Sequence, residues 1–456
     1  MASSGNTEYS SFRDPSGRVF ERNGVIYRQV NPVYLPHYEH LIGSGLYEDL
    51  VRADLLVPHD EVGECDAPGG RGKVIRPEQI PYISYPYEWC FEQYQDAALA
   101  TLRAQRLALR HGMTLKDASA YNVQFRCGKA VLIDTLSFED YTEGPWTAYG
   151  QFCRHFFAPL LLMAHLDARL GKMMQEYIDG VPLDLASTLL GRKGGLAAWQ
   201  HIRLHAASIR RFGETSGNGR VKPVALKKER LAAIVESLIR NVEGLKPKEK
   251  VTEWGDYYRG TNYSDASAEV KKALIAGFLG KMGSIGCAWD LGANDGRYSR
   301  LAIGDGTSVV AFDIDSMAVS RNWRDVKRSG ENLLPLLLDL AAPSPAIGFA
   351  NRERKTIDER RKPDVTLMLA LVHHLAISNN LPLGMIAEWV ASFTKFLVIE
   401  FVPKGDSQVQ RLLRTRADIF PGYTEEHFEQ AFAAHFTLLE KKPIEGTVRT
   451  LYLFRT

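Results

Sequence analysis

Between Cys287 and Asp313 the chain reads CAWDLGANDGRYSRLAIGDGTSVVAFD, and no other stretch restricts the fold as tightly. An apolar run ends at Asp290. A turn carrying Gly292, Asn294 and Gly296 follows, then a helical pattern, then a second apolar run that ends in Asp313. Glycine reaches positive φ without a steric penalty, and asparagine tolerates it better than most side chains. Strand, glycine turn, helix and second strand are the repeating parts of an open doubly wound sheet, which binds ligands at the carboxyl ends of its strands. An acid at the tip of the second strand is placed to accept hydrogen bonds from ribose hydroxyls. The dinucleotide fingerprint G-x-G-x-x-G is not met, because Asn294 and Arg297 occupy its second and third glycine positions.

From about residue 254 strand-like and helix-like segments alternate. Leu338-Asp339-Leu340 and DVTLMLA (364–370) follow the first two strands, and FTLLEKKPIEG and TVRTLYLFRT close the chain as a pair of strands. Together with Asp290-Leu-Gly292-x-Asn294-x-Gly296 and Asp313, these segments resemble the ordered motifs of class I S-adenosylmethionine (SAM)-dependent methyltransferases. The resemblance spans roughly 254–456 and lacks the family's middle glycine. It implies an α/β, Rossmann-like seven-stranded methyltransferase sheet over 250–456, with SAM as cofactor. It also implies that Asp290 and Gly292 hold the methionine end of SAM, that Asn294 and Gly296 shape the turn, that Asp313 holds the ribose and that Asp339 binds the adenine amino group. Upstream, TEWGDYYRGTNYSD offers Trp254, Tyr257, Tyr258, Arg259 and Tyr263. In the family such a segment folds over the cofactor, with Tyr263 as the contact taken here; the alternative is that these rings pack the start of the domain.

The acceptor side is less legible. Val372-His373-His374-Leu375 follows the fourth strand and resembles the LHHL of many small-molecule methyltransferases, whereas the (N/D)PP(Y/F) turn of adenine and exocyclic-amine methyltransferases is absent. His373 or His374 is a candidate general base, given the near-neutral pKa of imidazole; otherwise one ring packs and the other caps. Glu400, in KFLVIEFVPK, is a second acid–base candidate. Asp315 reads as the cap of the helix that follows it. The mixed-sign run NRERKTIDERRK (351–362) reads as a solvated helix or loop.

The first half has a different character. Asn23-Gly24 between two alternating runs signals a hairpin, and 91–111 has helical spacing up to Gly112. In HGMTLKDASAYNVQFRCGKAVLIDTLSFE, the order Asp117, Asn122, two short strands, Asp134 resembles the catalytic loop of protein and aminoglycoside kinases. That implies an α+β, kinase-like N-terminal domain over 1–245 and an ATP·Mg²⁺ role for those three residues. Against phosphotransfer stand Arg28 where such enzymes carry lysine, and the lack of a glycine-rich phosphate loop. In the bland alternative Asp117 caps, Asn122 turns the chain and Asp134 ends a strand. Residues 211–223 read as a loop and 242–253 as the inter-domain linker. Kinase-like half followed by methyltransferase half resembles a group of bacterial nodulation-protein-like methyltransferases.

Length and composition bound the rest. A chain of 456 residues, 45% hydrophobic and 24% charged, is expected to hold two or three globular domains. Lys+Arg 56 against Asp+Glu 54 gives +2, which argues against a surface that is basic throughout and leaves a local basic face for nucleic acid open; it is the LHHL-like resemblance that implies a small-molecule acceptor, with nucleic acid not favoured. The five cysteines form no CxxC pair, so neither a disulfide framework nor a metal site is expected. The first residues lack the apolar core of a secretory signal, and the apolar run near Phe156–Ala164 is too short to span a membrane. The expectation is a cytoplasmic SAM-dependent methyltransferase with an unidentified small-molecule acceptor. Its rivals are a phosphotransferase working from the first half and a SAM-binding scaffold or sensor.

Overall fold

The computed structural model describes residues 6–67, 69–203, 226–247, 264–414 and 417–456. The chain forms two compact units, Met1–Glu249 with Ala346–Arg354, and Lys250–Pro345 with Lys355–Thr456. Residues 346–354 therefore leave the expected 250–456 domain and group with the first unit. Ion pairing and ring stacking explain this. Arg13 meets the buried carboxylate of Glu353 at 2.6 Å, and the guanidinium of Arg354 lies 4.0 Å from the centre of the Tyr121 ring. The run expected to be solvated is thus partly docked, and only Ile357–Arg360 forms a helical turn. The linker expected over 242–253 also starts too early, because helix Lys228–Gly244 continues through the buried Val242. The rest of that linker beyond 247, and the loop 211–223, lie outside the described residues.

The first unit carries a five-stranded antiparallel sheet in the order Asn6–Thr7, Gly17–Arg22, Val25–Val30, Gly70–Pro77, His59–Ala67. Asn23 (φ 52°) and Gly24 (φ 75°) make the tight turn that their sequence signals, since both central residues of a type I′ turn need positive φ. Helix Phe91–Arg110 is amphipathic and buries Tyr94, Ala97, Leu102 and Leu109. The apolar run of the sequence becomes helix Ala158–His165, seven of whose eight residues are buried. Among the described residues no helix is long and apolar enough to cross a membrane.

The second unit is α/β. Its strands, in chain order, are β1 (Cys287–Leu291), β2 (Ser308–Asp313), β3 (Leu333–Leu337), β4 (Val365–Met368), β5 (Phe396–Phe401), β6 (Thr437–Pro443) and β7 (Thr450–Arg455). They form one sheet in the order β3-β2-β1-β4-β5-β7-β6. The first five pair in parallel, while β7 runs antiparallel to both β5 and β6. Every residue of β1, β2, β3 and β4 is buried, as expected for parallel strands covered on both faces. Helix α1 (Asp265–Leu279) precedes β1 and is capped by Ser264. Helix α2 (Ser316–Ser329) follows β2, and Asp315 caps it by accepting from Met317 N and Ala318 N. The strand order reverses between β1 and β4, and that reversal opens a crevice at the carboxyl ends of the central strands.

Candidate functional site

At the end of β1 the chain turns sharply, with Gly292 at φ 78°, Asn294 at φ 50° and Gly296 at φ 77°. The amides of Gly292 and Ala293 both donate to the Phe312 carbonyl at 2.9 Å, which stitches the turn to the end of β2. Asn294 N donates to Asp313 Oδ2 at 2.7 Å, and Asp315 N donates to Asp313 Oδ1 at 2.8 Å. Asp313 thus holds together the two loops that frame the crevice. Gly296 has a different reason for being glycine. A Cβ there would fall 2.5 Å from Asn322 Nδ2 and 2.8 Å from Arg300 Nη1, so the missing side chain serves packing against α2.

The acids of the crevice are under electrostatic strain. Burial pushes the Asp290 carboxyl up to about 7, against a hydrogen bond from Ser299 Oγ at 2.6 Å and the nearby positive charge of Lys271. Burial likewise pushes Asp313 up to about 6, against the backbone N–H groups that it accepts. Asp339 is half-buried just beyond β3, where its Oδ1 accepts from Ala341 N at 2.9 Å. The preceding amide, Leu338 N, donates to the Asp313 carbonyl at 2.9 Å. Asp290, Gly292, Asn294, Asp313 and Asp339 therefore stand at the ends of three neighbouring strands. Tyr263, Trp254, Tyr257, Tyr258 and Arg259 lie outside the described residues.

The end of β4 supplies the other wall. Ala370 takes φ 51°, a left-handed conformation that costs a non-glycine residue energy, and Leu371 sits against Gly292. His373 is buried, its Nδ1 has no hydrogen-bond partner, and its ring centre is 4.1 Å from that of His374. Residues His374–Ser378 form a π-helical turn, a feature frequent at functional sites. Burial, then the His374 and Arg449 charges, hold His373 well below the usual imidazole range; burial and Arg449 bring His374 down to about 4. Both rings are neutral at pH 7 and poorly basic.

The structure corrects the reading of Glu400 as an acid–base group. Its side chain is wholly buried in β5, with Lys271 Nζ 2.5 Å from Oε2 and Arg449 Nη1 3.2 Å from Oε1. A carboxylate held between two cations is a weak proton acceptor. Arg449 also grips Asp406 through Nε at 2.8 Å and Nη2 at 3.2 Å. Sequence reasoning missed Lys271, Ser299, Asp406 and Arg449. A signal existed for Lys271, which shares the core-facing stripe of α1 with Ser267, Ile275 and Phe278.

In the first unit, Asp117, Asn122 and Asp134 come close together. Asn122 Nδ2 donates to Ser137 Oγ at 3.3 Å, Ser137 Oγ donates to Asp134 Oδ2 at 3.0 Å, and Asp117 is raised by burial and by the Asp134 charge. Arg28 Nη2, however, lies 3.1 Å from Asp134 Oδ1 and also pairs with Asp14. Among the described residues no group of three or more His, Cys, Asp and Glu side chains is placed to hold a metal ion.

The chain is 34% identical over 456 residues to nodulation protein NoeA of Rhizobium meliloti (strain 1021), covering 97% of this chain and 95% of that protein. The chain belongs to the NoeA family. The similarity runs through both units of the chain, since it covers 97% of it. No family model matches the chain. Among solved structures, N-methyltransferase NodS from Bradyrhizobium japonicum WM9 is 13% identical, with TM-score 0.31, covering 42% of this chain and 98% of that one. Magnesium protoporphyrin IX methyltransferase from Synechocystis PCC 6803, solved with bound S-adenosylhomocysteine (SAH), is 15% identical, with TM-score 0.30, covering 55% and 95%. TM-scores this low leave the strand order of the second unit as the observation that bears on the fold of this NoeA relative.

Proposed function

We propose that the second unit of this NoeA-family protein is a SAM-dependent methyltransferase with a small-molecule acceptor. The observation that carries the reading is the pair of buried acids, Asp290 and Asp313, at the carboxyl ends of adjacent parallel strands around a positive-φ turn. Both carboxyls are pushed up by burial, so the crevice favours a ligand that brings positive charge and hydroxyl donors. SAM has both, and bears no phosphate for which the broken glycine fingerprint would be needed. Asp290 with the Gly292 turn would hold its methionine end, Asp313 its ribose and Asp339 its adenine amino group. SAM supplies an electrophilic methyl on a sulfonium. The chain's own task is then to align the acceptor and exclude water, which accounts for much of the rate in such transfers. At the end of β4, the half-buried His374 orients the acceptor. Its low basicity suits a hydrogen bond to a neutral acceptor better than removal of a proton.

Isothermal calorimetry with SAM tests the reading, and its pH dependence adds a sign. Both acids carry protons at low pH and lose them through about 6 and about 7, so SAM affinity is expected to rise tenfold or more from about pH 5 to about pH 8. The ligand-free protein behaves oppositely. The folded state keeps protons that the unfolded chain releases near 3.8, so stability falls as pH rises from there to about 7 and then levels off. Equal SAM affinity across that range would remove the two acids from the site.

For the first unit the reading is a kinase-like scaffold without phosphotransfer. The pairing of Arg28 with Asp134 favours it, because the acid that would bridge a metal is already held by a guanidinium. ATP with Mg²⁺ is expected to leave the melting temperature of the protein unchanged. A magnesium-dependent rise that disappears in Asp134→Asn would instead make the protein bifunctional.

A further inference from the structure

The turn that follows β1 lies between β2 on one side and β4 on the other. On the β2 side the amides of Gly292 and Ala293 fix it to the Phe312 carbonyl. On the β4 side it meets the side chain of Leu371. A Cβ placed on Gly292 would fall 3.1 Å from Cδ1, 3.5 Å from Cδ2 and 3.6 Å from Cβ of that leucine. Glycine has more backbone freedom than any other residue, so a wall against it removes alternatives that a ligand would otherwise have to suppress on binding. Leu371 is itself fixed. Its carbonyl accepts from His374 N at 2.9 Å and from Leu375 N at 3.3 Å, at the start of the π-helical turn His374–Ser378. The residue before it, Ala370, takes φ 51°. Left-handed backbone is unfavourable for a residue with a Cβ and persists only where the surroundings impose it. The bend at Ala370, the wedge of Leu371 and the π-helical turn therefore form one block that ends on Gly292.

We infer that Leu371 is a positioning residue for the cofactor: wedged against Gly292, it holds the turn Gly292–Gly296 in the shape that receives SAM. This role rests on the SAM reading above and deepens it. Leu371 acts through Gly292 and needs no contact of its own with the ligand. The strained bend at Ala370 serves to set Leu371 in that place.

Calorimetry with SAM on the full chain, beside urea unfolding, tests this. Leu371→Ala is expected to weaken SAM binding about tenfold, because the turn must then be ordered by the ligand. Leu371→Met, which conserves the volume, is expected to recover most of that affinity. Ile386→Ala is the control. It empties a buried position of helix Leu383–Ala391 in the same β4–β5 connection, so it is expected to lower stability while leaving SAM affinity near that of the wild type. A double-mutant cycle then reads whether Leu371 works through Gly292. Gly292→Ala sets a Cβ against the Leu371 tip at φ 78°, and it is expected to weaken binding by a smaller factor in the Leu371→Ala background, where the tip is gone. If Leu371→Ala does not fold, Leu371→Val, which only shortens the side chain, is expected to shift affinity in the same direction. Wild-type SAM affinity in folded Leu371→Ala, an equal loss in Ile386→Ala, or factors that simply multiply in the cycle would each overturn the role of Leu371 while leaving the cofactor reading intact. A wild type that binds no SAM would overturn both.

Discussion

Arg449→Met is expected to destabilise the second unit by about 3–5 kcal/mol, the usual cost of breaking a buried ion pair from one side. The guanidinium is 2% exposed and satisfies two buried carboxylates at once, Asp406 through two N–H groups and Glu400 through a third. Methionine fills the volume but leaves both acids facing a low-dielectric interior. Glu400 keeps Lys271, and Asp406 keeps the Gln408 amide at 2.9 Å. Asp406→Asn in the Arg449→Met background should recover part of the loss, because the buried carboxylate that lost its two guanidinium hydrogen bonds is replaced by a neutral amide. Urea unfolding followed by tryptophan fluorescence reads both values. A loss below about 1 kcal/mol would mean that water reaches the site and screens it.

Asp313→Ala is expected to weaken SAM binding by about 1–3 kcal/mol, roughly five- to more than a hundredfold, by leaving ligand hydroxyls without an acceptor. The sequence alone suggests that the fold would be indifferent to this change. The structure says otherwise, since the amides of Asn294 and Asp315 both end on Asp313. The alanine variant should therefore also lose stability, and Asp313→Asn, which keeps an acceptor oxygen, should lose less. Calorimetry beside thermal unfolding separates the two effects. Unchanged affinity in a folded Asp313→Ala protein would take Asp313 out of the ribose position.

The central strands were legible because parallel strands buried on both faces read as apolar runs, and β1, β2 and β4 stand out as CAWDL, SVVAFD and VTLM. The turn between β1 and β2 was legible because positive φ demands glycine or asparagine, and those residues sit at the positions that need it. The helix cap at Asp315 and the Asn23-Gly24 hairpin belong to the same class, as each is set by neighbours a few residues away. What a side chain meets across the fold has no such local signature. Glu400 looked like a catalytic acid because it ends an apolar strand near the crevice, yet its fate was settled by Lys271 and Arg449, far from it in sequence. The run 351–362 looked solvated because its charges are mixed, yet Glu353 and Arg354 found Arg13 and Tyr121 in the other half of the chain. By itself the sequence determined the periodicities, the turns and the acids at the strand ends. Only the tertiary structure decided which of those acids meet buried cations, because an ion pair depends on distance in space and on exclusion of water, and neither is written in the order of residues.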